Sequence, residues 1–219
     1  NFAEYSYCKA HASTYGEISY QCTYLKAHFP AEFLSSVLSN RGGFYHPAVY
    51  LEEAKRMGIE VRLPDVNKSR FNYTVEGDAV RVGFIEIRNL SERAVESLLE
   101  ARAERPFQSL SDLYRRAHCG RADLEAIIQA GACDSLRQNR PALLWELRML
   151  LQSSVKPSQR GDSELFVDEA ASPYVPAIPD YSRKKRTDSE WTALGLTVTT
   201  HPLEYYLSLL TEHALVLSN

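Results

Sequence analysis

The stretch Arg121-Ala122-Asp123-Leu124-Glu125-Ala126-Ile127-Ile128-Gln129-Ala130-Gly131-Ala132-Cys133-Asp134-Ser135-Leu136, followed by Asn139-Arg140, decides the reading of this chain. Leu124, Ile127, Ile128 and Leu136 fall at helical spacing and belong to a core. Gly131 supplies a turn, and Asp134 or Ser135 can cap the helix that follows. Arg137 and Arg140 add positive charge beyond the turn. A hairpin between two short helices can aim backbone amides at a phosphate, so core packing and contact with a DNA backbone are compatible here. Any such contact is independent of base sequence.

A comparable unit precedes it. Gly83-Phe84-Ile85-Glu86-Ile87-Arg88-Asn89-Leu90-Ser91 leads into a helix that Arg102 closes. Its tight turn reads Arg88-Asn89-Leu90, without the Gly-x-Gly that lets a backbone approach a phosphate. Asn accepts a positive φ more readily than other non-glycine residues. Arg88 and Asn89 are therefore candidate phosphate contacts, with a purely structural hairpin as an equal reading. Ser91, and Ser109 or Ser111, are N-cap candidates, and breaks at Pro106 and near Gly131 divide residues 91–151 into three helical pieces.

Towards the N-terminus, residues 8–38 carry apolar side chains near helical period, with Pro30 opening a second helix. Asn40-Arg41-Gly42-Gly43 is a loop, and a helix over 47–57 ends at Gly58 in a left-handed cap. Ile59–Leu63 alternates. Phe71–Glu76 and Ala79–Phe84 flank Gly77-Asp78 as a hairpin, and Pro64-Asp65-Val66-Asn67 is turn chemistry. Beyond residue 153 the composition turns to Ser, Pro, Asp, Glu and basic residues up to Arg186, as in a linker or crossing segment. A last helical element, broken at His201-Pro202, covers roughly 189–210. The fold class is mainly α with a small β-hairpin element.

Hydrophobic residues make up 44% and charged residues 24% of the 219, a globular balance, and the segment pattern predicts more than one core. A net charge of −3 and a pI near 6.1 argue against a free-standing nucleic-acid binder with a global basic footprint, but not against local backbone-amide sites. Cys8, Cys22, Cys119 and Cys133 form no C-x-x-C pair, and read as reduced structural thiols. No stretch approaches the roughly 18 apolar residues of a membrane helix. The start, Asn1-Phe2-Ala3-Glu4-Tyr5, has neither an initiator Met nor a signal-peptide core, and reads as the start of an excised piece.

The N-terminal segment carries chemistry of its own. Lys9 and His11 fall near a helix start, where a lysine beside the helix dipole suits a phosphate. Tyr15 and Tyr20 could stack on a base, and a solvated helix face is the competing reading. The string KAHASTYG…SYQ…YLKAHFPAEF resembles the fingers segment of the bacterial C-family DNA polymerases, the DNA polymerase III alpha subunits. Arg56-Met57-Gly58-Ile59 and Pro64-Asp65-Val66-Asn67-Lys68-Ser69 continue the resemblance, with Leu63 where the family's first proline of a pair stands. The Gly131 segment resembles the family's second hairpin unit. Glu190-Trp191-Thr192-Ala193-Leu194-Gly195 with His201-Pro202-Leu203 resembles the sequence preceding its OB-fold domain, and His201 is given a capping or packing role.

The resemblance runs in order from Tyr5 to Tyr206. It implies fingers helices plus tandem helix-hairpin-helix units: the C-terminal part of the fingers over 1–82, the hairpin region over 83–152, a linker over 153–188 and a helical segment over 189–219. It implies Lys9, His11, Tyr15 and Lys26 at the incoming nucleotide (dNTP) and template, and Arg88, Asn89, Gly131, Arg137 and Arg140 on the DNA backbone. Asp162-Ser163-Glu164-Leu165-Phe166 resembles the family's Q-x-x-L/M-F clamp-binding pentapeptide with Asp162 replacing the glutamine, so Asp162, Leu165 and Phe166 are sliding-clamp candidates. The basic run Arg183–Arg186 reads as solvated linker or a DNA contact.

The family's Mg²⁺-holding carboxylates lie in the palm, upstream of the matched segment, so no catalytic or metal-ligating residue and no cofactor is assigned here. The expected setting is a cytoplasmic bacterial replication enzyme, with primer-template DNA and the rest of the polymerase chain as partners and no membrane. Alone, the piece is expected to be inactive. A nonenzymatic DNA-binding or scaffold protein of the same descent is the alternative reading, and a helix-hairpin-helix glycosylase or lyase is disfavoured because no catalytic Lys or Asp follows Gly131 in the expected arrangement. The replicative subunit and its error-prone paralogue stay open, with Trp145 and Gly42-Gly43-Phe44-Tyr45 leaning towards a divergent form.

Overall fold

The structure, a computed structural model, describes residues 9–136, 139–154 and 175–207. It is mainly α with one small sheet. Helices α1 (Lys9–His28), α2 (Pro30–Ser39) and α3 (Pro47–Arg56) come first. Pro30 and Pro47 occupy first-turn positions, where the missing N–H is no loss, and His46 caps α3 by accepting the Ala48 amide at Nδ1. Helix α3 ends as its sequence predicts. Gly58 has φ 81°, with the paired bonds Ile59 N–H to Ala54 O and Gly58 N–H to Lys55 O of a Schellman turn.

Strands β1 (Val61–Arg62), β2 (Thr74–Glu76) and β3 (Ala79–Arg81) form a sheet of order β1-β3-β2. The expected Gly77-Asp78 hairpin pairs Val75 with Val80, and β1 adds a parallel third strand through Val61 and Val80. The strands are shorter than the alternation suggested. Residues 70 and 71 instead accept the Phe84 and Ile85 amides, which fixes the entry to the first hairpin. Arg81, buried on β3, is paired with Glu76 and donates to Leu63 O. Helices α2 and α3 cover the sheet.

Four helices, not three, fill the next region: α4 (Glu92–Glu104), α5 (Leu110–Arg116), α6 (Arg121–Gln129) and α7 (Arg140–Ser154). Ser91 and Ser109 both act as N-caps, accepting the Ala94 and Asp112 amides, while Ser111 lies inside α5. Asn139, rather than Asp134 or Ser135, caps α7 by accepting the Ala142 amide. Helix α8 (Arg183–Leu194) starts inside the expected linker, so the run Arg183–Arg186 is its first turn, not extended chain. Basic side chains are disfavoured at a helix N-terminus. Here Arg183 is held by Glu204 at 2.7 Å and Arg186 by Asp180.

The expectation of separate cores is corrected. One continuous apolar cluster runs from Ala31 and Leu34 through Val80, Leu98 and Ile127 to Leu196 and Val198. A buried ionic group joins its last parts. Arg140 is only 1% exposed; its guanidinium meets the Asp134 carboxylate at 2.8 and 2.9 Å and Glu190 at 3.7 Å. Burial works against its charge, but Asp134 and Glu190 outweigh it and leave the pKa above the ordinary value. Glu190 is itself fully buried and accepts the Val198 and Thr199 amides and the Thr199 hydroxyl. Burial likewise pushes the Cys133 thiol up and that of Cys119 up to about 12, so both are packing groups at neutral pH.

Glu190→Ala removes one partner of a buried arginine and strands two amides, and should cost about 3 kcal/mol in a urea titration. A loss below about 1 kcal/mol would mean the group is dispensable. The β2–β3 pair gives a second expectation. Hydrogen bonding from Arg81, opposed by burial and reinforced by Arg62, holds the Glu76 carboxyl at about 2 against an ordinary 4.5. Its stabilising contribution is therefore complete above the unfolded value and is lost as pH falls from 4.5 towards about 2. Stability measured across that window should fall less steeply in Glu76→Gln than in the parent chain, and equal slopes would refute the assignment.

Candidate nucleic-acid interface

The start of α4, just after the first hairpin, and the start of α6, the helix that leads into the Gly131 hairpin, meet at one carboxylate. Asp123, in the first turn of α6, accepts the Ser91 amide at 2.9 Å through Oδ1 and the Gly120 amide at 3.1 Å through Oδ2. Ser91 begins α4 and Gly120 begins α6, so both helix starts converge on this side chain. Amides at helix N-termini are the groups that hairpin units turn towards phosphate. At this junction Asp123 accepts two of them from within the protein.

The first hairpin adopts the conformation its sequence calls for, since Asn89 has φ 61° without a glycine. Its amides are largely engaged: Arg88 N–H donates to Ala193 O at 2.8 Å, Leu90 N–H reaches Ile87 O, and Ser91 N–H goes to Asp123. The backbone of this turn thus docks α8 and α6. The Arg88 and Asn89 side chains remain exposed. Arg93, on the first turns of α4, is exposed beside them. Across the junction stands Arg121, exposed and paired with Glu125 at 2.7 Å one turn along α6. Arg88, Arg93 and Arg121 are thus exposed cations close in sequence to the two helix starts, with Arg88 lying against Gly195 and Arg121 against Glu125. Arg93 and Arg121 did not stand out in the sequence, although each lies in the first turn of a helix, α4 and α6.

The Gly131 hairpin has a different construction. Gly131 has φ 83°, and the bonds Ala132 N–H to Ile127 O and Gly131 N–H to Ile128 O make it the Schellman end of α6. A Cβ there would lie 2.3 Å from Nη2 of Arg140, so the glycine admits the guanidinium as well as the turn. Ala132 O accepts the Val66 amide at 2.8 Å, tying this turn to the loop after β1. Arg140 as a DNA-backbone ligand is corrected: it is buried between Asp134 and Glu190 and cannot reach a phosphate. Gly131 serves that packing. Arg137 lies outside the described residues, as do Asp162, Leu165 and Phe166.

Helix α1 carries the remaining candidates. Lys9, His11 and Tyr15 lie exposed in its first two turns, with the His11 and Tyr15 rings in edge contact at 4.5 Å. Lys26 stands 17 residues after Lys9, about 25 Å along the helix axis. It forms an ion pair with Glu53 of α3 at 2.9 Å. His11 and Tyr15 share one face of the helix, Lys9 at a two-residue spacing from His11 lies on the opposite side, and Lys26 is almost five turns away. None of the 20 residues of α1 is buried, and Tyr15, Ile18, Tyr20, Tyr24 and Leu25 are exposed along it. His201 caps the final 3-10 turn by accepting the Leu203 amide at Nδ1, in keeping with a capping role. Among the described residues no group of three or more His, Cys, Asp or Glu side chains could hold a metal ion, and no helix is long and apolar enough to cross a membrane.

The helix-hairpin-helix motif family matches residues 58–143, which take in both hairpins and the helices between them. The DNA polymerase III subunit alpha of Thermus aquaticus is 36% identical over 94% of this chain and 17% of its own length. That of Bacillus subtilis is 35% identical over 98% of the chain and 20% of its own length. The error-prone DNA polymerase of Symbiobacterium thermophilum is 32% identical over 93% of the chain and 23% of its own length. The chain thus spans about a fifth of these relatives, from 17% to 23% of their length. Over nearly its whole length the chain is a homologue of one segment of the bacterial DNA polymerase III alpha subunits and error-prone DNA polymerases.

Proposed function

We propose that the chain supplies the duplex-gripping and nucleotide-positioning surfaces of a bacterial DNA-directed DNA polymerase. The observation that carries this is Asp123 joining the start of α4, after the first hairpin, to the start of α6, with Arg88, Arg93 and Arg121 exposed near those helix starts in sequence, within a segment homologous to such polymerases. In this reading the arginine side chains hold the phosphates of primer-template duplex, while Asp123 and the hairpin amides keep the two units in register. Arginine suits the task because its planar fork donates two parallel hydrogen bonds to a phosphate. Lys9, His11 and Tyr15 meet the incoming nucleotide or template end, with the lysine on phosphate and the tyrosine against a base. The exposed aromatic side chains of α1 pack against the rest of the polymerase chain.

Nucleotidyl transfer needs carboxylates holding Mg²⁺ against the phosphates. The described residues do not fit that ion, so in this reading the ligands come from elsewhere in the polymerase and the chain alone does not polymerise. The setting is the cytoplasm of a bacterial cell. Leu165 and Phe166 anchor the segment around Asp162 to the sliding clamp, as a short peptide filling an apolar pocket.

Duplex grip is tested by fluorescence anisotropy with a blunt DNA duplex over a salt series. Affinity should fall steeply with salt, and the triple variant Arg88→Ala, Arg93→Ala, Arg121→Ala should lower the log–log slope by about 2 to 3. A parent chain that stays unbound at low salt, or an unchanged slope in the variant, would sink the proposal. For the clamp, Asp162→Gln should tighten binding to a purified bacterial sliding clamp by about tenfold, near 1.4 kcal/mol. Phe166→Ala should abolish binding, and indifference to both substitutions would remove the clamp from the list of partners.

A further inference from the structure

Helix α1 is a 20-residue rod held at one end. Apart from Ala12 and Lys26 every one of its residues is exposed, and the helix it packs against most is α2, which follows the turn at Phe29. At that end Lys26 donates from Nζ to Glu53 Oε1 of α3 at 2.9 Å. Among the described residues this is the one side-chain hydrogen bond from α1 to another element. Glu53 is itself fixed: Arg56 donates from Nε to its Oε2 at 2.7 Å and from Nη2 to Oε1 at 2.9 Å. The bonds from Arg56, and then from Lys26, hold the Glu53 carboxyl down at about 2, so the acceptor stays ionised at neutral pH.

A helix turns about 100° per residue, which places Lys26 within about 20° of Tyr15 and about 60° of His11 around the α1 axis. The face that meets α3 at the base is therefore the face that carries His11 and Tyr15 near the tip, where their rings touch edge-on at 4.5 Å. His11 stands about 22 Å along the axis from Lys26, so a tilt of about 5° at the base moves the tip by about 2 Å. A displacement of about 1 Å in a positioning group can cost on the order of a hundredfold in rate. A half-exposed ion pair contributes little to stability. Its leverage here is on direction.

We propose that Glu53 is a positioning residue for nucleotide addition: through Lys26 it sets the tilt and roll of α1, and so where the His11–Tyr15 pair stands against the incoming nucleotide or template end. The assignment rests on the reading of α1 as a nucleotide surface. Lys26 is too far along the helix to touch the same ligand and acts as the peg, while Arg56 fixes the carboxylate that receives it. Charge separates this role from a direct electrostatic one. A carboxylate repels an anionic ligand, so removing it would by charge alone tighten nucleotide binding. Weaker binding on its removal reports position.

Two measurements test the role. In the 219-residue chain carrying Cys8→Ser and Cys22→Ser, spin labels at Ser13→Cys and Glu100→Cys report the distance from α1 to α4. Glu53→Gln and Lys26→Gln should each broaden that distance distribution about twofold, the double variant no further, and Lys26→Arg should keep it narrow. In the complete polymerase chain, Glu53→Gln should raise the KM for dNTP about tenfold with kcat and duplex affinity near the parent's, and Lys26→Arg should leave the KM unchanged. Coincident distance distributions in the parent and Glu53→Gln would overturn the pin. A lower or unchanged KM in Glu53→Gln would overturn the positioning role, with the nucleotide surface left standing if Tyr15→Ala raises the KM. If His11→Ala and Tyr15→Ala also leave the KM unchanged, α1 is no nucleotide surface and both readings fall.

Discussion

The Arg140 guanidinium sits where the end of α6, the start of α7 and the middle of α8 come together. It faces Asp134, the Gln129 carbonyl and Glu190, with Gly131 beneath it. A charge so deeply buried is tolerated only when its partners are held in place. Each constraint therefore imposes another. Gly131 must lack a Cβ to admit the guanidinium, and Glu190 must face inward, where it also fixes the Val198 and Thr199 amides. Ser189 donates to the same Gln129 carbonyl at 2.9 Å. Helix α8 is thereby seated on the hairpin region, and its Ala193 carbonyl is placed to receive the Arg88 amide of the first hairpin.

That chain of contacts fixes the side of the molecule that carries the two hairpins. Asp123 ties the start of α4, after the first hairpin, to the start of α6, and the first hairpin is fixed again through Ala193, while the Gly131 turn is fixed through the Val66 amide on Ala132 O. Backbone amides used in this way set the position of the arginines around them. The division of labour suits recognition of a backbone, which needs several cations at set spacings and no reading of base edges. It also accommodates a net charge of −3, since the positive charge is needed only locally.

Local features were legible wherever the cause was local. Asn89 was expected to bear a positive φ and does, because its short polar side chain tolerates the left-handed region. Gly58, Gly131, Ser91, Ser109 and the Gly77-Asp78 turn follow from neighbours a few residues away. The candidate site was only partly legible. Arg140 read as one more positive charge after a glycine turn, because nothing nearby shows that Glu190, fifty residues on, would bury it. Lys26 read as a companion of Lys9 and His11, although a helix carries it about 25 Å away and turns it to Glu53.

Most helices and turns, several of their caps, the mainly α class with its small hairpin, and the order of motifs that marks the polymerase relatives could be read along the chain. These depend on periodicity and on backbone conformations available within a few residues. Packing over long sequence distances settles that one core runs from α2 to the residues after α8, that β1 joins the hairpin in parallel, and that α8 begins in a segment rich in proline and charge. It alone decided which cations are buried and which face outward. Asp123 and Glu190 act on groups 32 and about ten to fifty residues away, and such pairings arise only when packed helices bring distant parts of the chain within hydrogen-bonding reach.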